Sequence, residues 1–142
     1  MRPFHIENLI QQHGLPELST ETLDQFLEQH HQVMLFFTEN PDQFPETNDV
    51  AVVLPELMKV FGDRLSAAVV ALKSQRELQK RYGFKTWPSL VFLRDGAYLG
   101  VISRVQNWSE YLQEIESILS LEPSRPPTIG IPVVEEPMGN SV

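Results

Sequence analysis

The 142-residue chain contains no cysteine. That absence excludes a thiolate nucleophile, a dithiol relay and any thiolate-ligated metal. Long apolar runs are missing as well. Nothing approaches the ~20 residues that a membrane-spanning helix needs. The opening segment MRPFHIENLIQQH lacks the apolar centre of about 7–15 residues found in a secretory signal, so a cytoplasmic location is the default expectation. Gly-x-Ser-x-Gly, Walker and Gly-x-Gly-x-x-Gly patterns are absent, which removes the common nucleophile-elbow and nucleotide-binding chemistries. Positive charge is scarce in the first third. Residues 1–50 hold one basic residue, Arg2, against nine acids: Glu7, Glu17, Glu21, Asp24, Glu28, Glu39, Asp42, Glu46 and Asp49. Residues 51–142 hold equal numbers of bases and acids, so the whole net charge of −8 arises in the first 50 positions. Such a field repels nucleic-acid phosphates and anionic lipid; it serves either to attract a basic partner or simply to keep the protein in solution.

What is present is an ordinary globular composition, 42% hydrophobic and 21% charged, in a chain long enough for one domain with a real core. Ser19 and the acids after it cap a helix whose apolar residues are Leu23, Phe26 and Leu27. Val33–Phe37 is a continuous apolar run, the pattern of a strand buried on both faces. A polar loop with Pro41 and Pro45 follows over 38–47. Leu54, Leu57, Met58 and Phe61 then mark a helix that ends at Gly62 and carries Pro55 inside it. Leu65–Leu72 reads as a second buried strand. Ser74-Gln75-Arg76-Glu77 has the form of a capping box opening a helix that runs to Tyr82-Gly83. Ser89–Leu93, the turn pair Asp95-Gly96 and Tyr98–Ser103 form a hairpin. Asn107 caps a last helix with the stripe Trp108, Tyr111, Leu112, Ile115, Ile118 and Leu119. A parallel βαβ unit followed by a hairpin and a closing helix is an α/β arrangement with helices for both faces of a mixed sheet. One domain is expected over residues 1–121. Residues 122–142, with Pro123, Pro126, Pro127, Pro132 and Pro137, form a tail that is expected to be mobile or extended.

This order, with Tyr82-Gly83-Phe84, Trp87-Pro88-Ser89 and the Asp95-Gly96 turn, resembles the thioredoxin fold over roughly residues 19–121. The resemblance implies a cis peptide bond before Pro88. Counting back from Pro55 puts the redox tetrapeptide on Thr47-Asn48-Asp49-Val50, with Thr47 and Val50 where the two thiols would stand and Phe36 where the buried acid would be. Thiol oxidoreductase and isomerase activities are therefore set aside, and no catalytic residue or cofactor is expected. The cysteine-free sequence, the acidic first third, the Pro-containing loop, Trp87-Pro88-Ser89 and the Pro-rich tail together resemble the hydrogenase-1 operon protein family (HyaE/HupG). That resemblance implies a non-enzymatic chaperone in nickel-iron hydrogenase maturation. Its client would be the twin-arginine signal peptide of the hydrogenase small-subunit precursor, bound before export, and other maturation proteins are further candidate partners.

In such a protein a stretched peptide would pair with the backbone of Trp87 beside Pro88. Glu39, Asp42, Glu46 and Asp49 would take its arginines, and Trp87, Phe44 and the surrounding apolar surface its apolar part. The same acids also read as a solvated loop, Trp87 as a core residue and Phe44 as a loop anchor. A scaffold for a folded maturation partner, with the tail as contact, is the alternative reading. A metal-handling role for His5, His13, His30 and His31 is the weakest. Their spacing has no His-x-x-x-His pair, and His30 continues the apolar face of its helix, so a structural role is expected and no metal site.

Overall fold

The computed structural model describes residues 4–127. Its elements are α1 (Phe4–Gln11), β1 (Glu17–Leu18), α2 (Thr20–Gln29), β2 (Gln32–Phe37), α3 (Glu46–Phe61), β3 (Ser66–Val70), α4 (Leu72–Tyr82), β4 (Ser89–Arg94), β5 (Ala97–Ser103) and α5 (Trp108–Leu119). The five strands form one sheet in the order β1-β3-β2-β4-β5. β1, β3 and β2 are parallel, while β4 runs antiparallel to both β2 and β5.

Side chains alternate across the central strands, as the two-residue period of a strand requires. Met34, Phe36, Leu90 and Phe92 face a core closed by α1, α3 and α5. Val33, Leu35, Phe37, Val91 and Leu93 face the core under α2 and α4. Burial on both faces explains the unbroken apolar run of β2. Asp95 and Gly96 have φ of 52° and 81°, the paired positive values of a two-residue hairpin turn. Asn107 caps α5 as expected, its side chain accepting from the Glu110 amide at 2.9 Å.

Several boundaries differ from the sequence reading. The N-terminal segment, read only for what it lacks, forms α1 and β1; Ile6 and Leu9 of α1 are buried in the core that contains α3. α3 begins at Glu46, so Glu46 and Thr47 belong to the helix and not to the loop. Pro45 before it already has helical backbone angles, and Glu46 and Asp49 in the first turn suit the positive end of the helix. The second strand stops at Val70, and α4 starts at Leu72 after Ala71. Ser74-Gln75-Arg76-Glu77 is therefore not a cap: Ser74 and Gln75 sit within the helix and turn inward. Trp108 begins α5 but stays 42% exposed, outside the stripe made by Tyr111, Ile115 and Ile118.

Of the Pro-rich segment, residues 122–127 carry no regular structure and lie against the hairpin, where the Ser124 amide donates to the Tyr98 carbonyl at 2.9 Å. The rest of that segment, from residue 128, lies outside the described residues.

Candidate functional site

The loop after β2, the start of α3, the turn before β4 and the turn after β5 converge at one end of the sheet. Thr47 and Val50, in the first turn of α3, are buried. The Thr47 hydroxyl donates to the Thr38 carbonyl at 2.6 Å, which joins the helix to the end of β2. Phe36 is fully buried in the α3 face of the sheet. A hydroxyl and two apolar groups fill these positions, and none of them can act as an accessible nucleophile or proton shuttle.

Gln75 reaches across from α4 and is almost completely buried. Its amide nitrogen donates to Thr38 Oγ1 at 3.0 Å and to the Val70 carbonyl at 2.9 Å, and its oxygen accepts from the Glu39 amide at 2.7 Å. Every polar atom of this side chain is used, as burial requires. Glu39 has φ of 47°, the left-handed region that non-glycine residues rarely adopt. Its carboxylate pairs with Arg76.

The Trp87–Pro88 peptide bond is cis. Trp87 is only 8% exposed. Its indole meets Phe84 edge-on with centroids 5.0 Å apart, and the Arg76 guanidinium lies 5.2 Å above the ring. Among the described residues, neither the amide nor the carbonyl of Trp87 takes a hydrogen bond. Pro88 is buried, and its carbonyl accepts from the Arg104 amide at 2.9 Å. Phe44 is half-buried and packs against the α2/α4 core, which anchors the loop.

The four acids, Glu39 and Asp42 in the loop and Glu46 and Asp49 in the first turn of α3, separate into two kinds. Glu39 is paired with Arg76. Glu46 accepts from the Val105 amide at 3.2 Å and from Arg104 at 3.4 Å, which ties the start of α3 to the turn after β5. Asp42 and Asp49 are exposed and, among the described residues, join no ion pair. Behind Asp49, the hydroxyl of Tyr111 is buried near the Gln106 amide without completing a hydrogen bond. Burial raises its pKa, the Gln106 amide lowers it in part, and Glu114, Glu46 and Asp49 raise it further. A cavity of about 340 Å³ opens beside Glu39 and Asp42, with Ile6, Pro41, Val70 and Leu72 as its apolar walls.

The histidines do not converge. His5 packs edge-on with Phe4, His30 stacks on Phe26 at 4.1 Å and reaches Ser66 Oγ at 3.2 Å, and His31 pairs with Asp95 at 2.7 Å. Among the described residues no three metal-ligating side chains come together. No described helix is long and apolar enough to cross a membrane.

The sequence reading missed Gln75, Arg76 and Arg104. The apparent capping box at Ser74–Glu77 hid Gln75, because it starts the helix two residues late. The strand stops at Val70, and a helix starting at Leu72 turns residue 75 inward.

Known proteins resemble this chain in sequence and in fold. The family model for the hydrogenase-1 expression protein HyaE matches residues 5–111. The hydrogenase expression/formation protein HoxO of Cupriavidus necator is 43% identical over 138 residues, covering 96% of this chain and 86% of the relative. The hydrogenase expression/formation protein HupG of Bradyrhizobium diazoefficiens is 36% identical over 128 residues, 87% of this chain and 86% of the relative. A crystal structure assigned to the hydrogenase expression/formation protein hupG of Rhodopseudomonas palustris is 40% identical. It superposes with a TM-score of 0.53 over 74% of this chain and 95% of that one. A Plasmodium falciparum thioredoxin, 16% identical, matches in fold with a TM-score of 0.61 over 72% of this chain and 98% of that one. With its thioredoxin-like fold and its cysteine-free sequence, the chain belongs to the HyaE family of hydrogenase expression and formation accessory proteins.

Proposed function

We propose that this protein is a non-catalytic, cytoplasmic chaperone that binds the twin-arginine signal peptide of a hydrogenase small-subunit precursor before export. The observation that carries the reading is the unused backbone of Trp87. Its amide and carbonyl are satisfied by no described residue, so an extended peptide can add there by main-chain hydrogen bonds. Family membership directs that capacity towards hydrogenase components. Asp42 and Asp49 are carboxylates free of internal ion pairs among the described residues, and they sit in the acidic field of the first 50 residues. Charge-assisted hydrogen bonds from arginine to such groups contribute roughly 1.5–3 kcal/mol each when water is excluded. The Trp87 indole is buried, so it shapes the groove from beneath, and Phe44 offers its exposed edge to the apolar part of the peptide.

Titration with a synthetic signal peptide tests this. Binding is expected to weaken as salt rises and to drop about tenfold or more when both peptide arginines become glutamine. Asp42→Lys with Asp49→Lys is expected to cost at least as much. Equal affinity for the arginine and glutamine peptides would remove the reading.

A further inference from the structure

Arg76, Glu39 and Trp87 form an unequal arrangement. The Glu39 side chain is only 11% exposed, whereas the Arg76 side chain that neutralises it is 65% exposed. Glu39 is held from behind: its amide is bonded to the buried Gln75, and its backbone is fixed in the left-handed region. The indole that carries the other face of the guanidinium is part of the core. The carboxylate and the ring are thus built into the fold, while the cation between them rests on the surface. Swinging Arg76 into solvent returns it to water with little loss. The same movement leaves Glu39, whose side chain is 11% exposed with Arg76 in place, without its counter-ion, and the penalty falls on the carboxylate. The site requires a guanidinium, and nothing in its geometry requires that the guanidinium belong to residue 76.

We propose that Glu39 and Trp87 form a guanidinium-binding site in which Arg76 is a resident stand-in, displaced when an arginine of a client peptide enters. For the identity of that client the inference rests on the signal-peptide reading above; the site itself stands on the geometry. The chemistry selects arginine over lysine, because a planar fork matches both a carboxylate and an aromatic face while an ammonium is a hydrated point charge. Glu39 also borders the cavity of about 340 Å³, whose apolar wall is formed by Ile6, Pro41, Val70 and Leu72, so an arginine seated there places the next apolar residue of an extended client at its mouth. Arg76 competes with the client and lowers its apparent affinity by the fraction of time the site is free. The device holds the buried carboxylate neutralised between clients.

The test uses Trp87 fluorescence in a Trp108→Phe background, which leaves a single indole. Arginine amide is titrated into the parent, Arg76→Gln, Arg76→Met and the charge control Lys80→Gln. Both Arg76 variants are expected to bind arginine amide about tenfold more tightly than the parent, corresponding to a site occupied by Arg76 for roughly nine-tenths of the time. Lys80→Gln is expected to match the parent, and adding Glu39→Gln is expected to abolish the gain. The methionine variant keeps the aliphatic stem, and thermal melts followed by circular dichroism verify that each variant is folded. Equal or weaker binding in both Arg76 variants, or a gain that survives Glu39→Gln, overturns the proposal. A parallel titration with a peptide of two adjacent arginines and an apolar run separates the two claims. If the parent binds this peptide and neither Arg76 variant binds either probe more tightly, the stand-in is wrong and the signal-peptide reading survives. If the Arg76 variants gain arginine amide but no protein binds the peptide, the guanidinium site stands and that reading falls.

Discussion

Gln75 holds the most committed side chain in the molecule. It satisfies the Thr38 hydroxyl, the Val70 carbonyl and the Glu39 amide from a buried position. Replacing it with leucine leaves those groups without a partner, at roughly 1–3 kcal/mol for each one that water cannot reach. Urea unfolding of Gln75→Leu is expected to show at least that loss; a change within about 0.5 kcal/mol, typical of surface substitutions, would contradict this role. Thr47 offers a second test. Its hydroxyl is buried against the Thr38 carbonyl, so a Thr47→Cys thiol is expected to react with Ellman's reagent more than tenfold more slowly than an Asp49→Cys thiol two residues on. Thr47, Val50 and Phe36 were singled out through the thioredoxin resemblance, by counting from Pro55, and all three are buried. Gln75 and Arg76 were not singled out. Their roles depend on helical phase: a helix starting at Ser74 would turn these side chains elsewhere, and one starting at Leu72 turns Gln75 into the sheet.

The elements that were legible are those whose local chemistry decides them alone. Asp95-Gly96 takes the two positive φ values of its turn, and Asn107 with Glu110 closes the start of α5. Asn107→Ala is expected to cost about 1 kcal/mol in chemical denaturation. Glu116 on α5 is linked to Arg64. The hydrogen bond from Arg64 is the main cause of its lowered pKa; desolvation opposes the shift and the charge of Arg64 adds to it. The stability from this pair is present above the ordinary glutamate value of 4.5 and is lost as pH falls below it. Glu116→Gln is therefore expected to narrow the gap to the parent as denaturation curves move into acid. Gly83 belongs to this scale as well. It ends α4 with φ of 74°, and a β-carbon there would come within 1.8 Å of the Pro127 carbonyl oxygen. Gly83→Ala is expected to lose roughly 1–2 kcal/mol from the left-handed backbone alone, with a further loss from displacing that oxygen. Melting temperatures of the full chain and of one ending at Pro123 separate the two parts, because the shorter chain retains only the backbone cost.

For the whole molecule, charge and burial act over the full chain. Burial raises the pKa of Tyr82, Tyr98 and Tyr111 above the ordinary 10.0, because the core disfavours a phenolate. Their contribution to stability is complete below pH 10 and is lost as pH rises through the higher folded values, so the urea midpoint is expected to fall above pH 10. The class of fold was open to the sequence because buried strands, caps and turn residues are local signals in a fixed order. The Trp87-Pro88 motif raised the expectation of a peptide site at one end of that fold, and the acidic first third was open both to a solubility role and to a basic partner. The registers, the packing of α1 and β1, and the division of the acids into committed and free groups were decided by tertiary structure. A carboxylate's partner is set by which helix and which turn arrive beside it, as Arg76 arrives at Glu39 and Arg104 at Glu46 across long stretches of chain. Sequence spacing carries no record of distances that exist only once the sheet has closed.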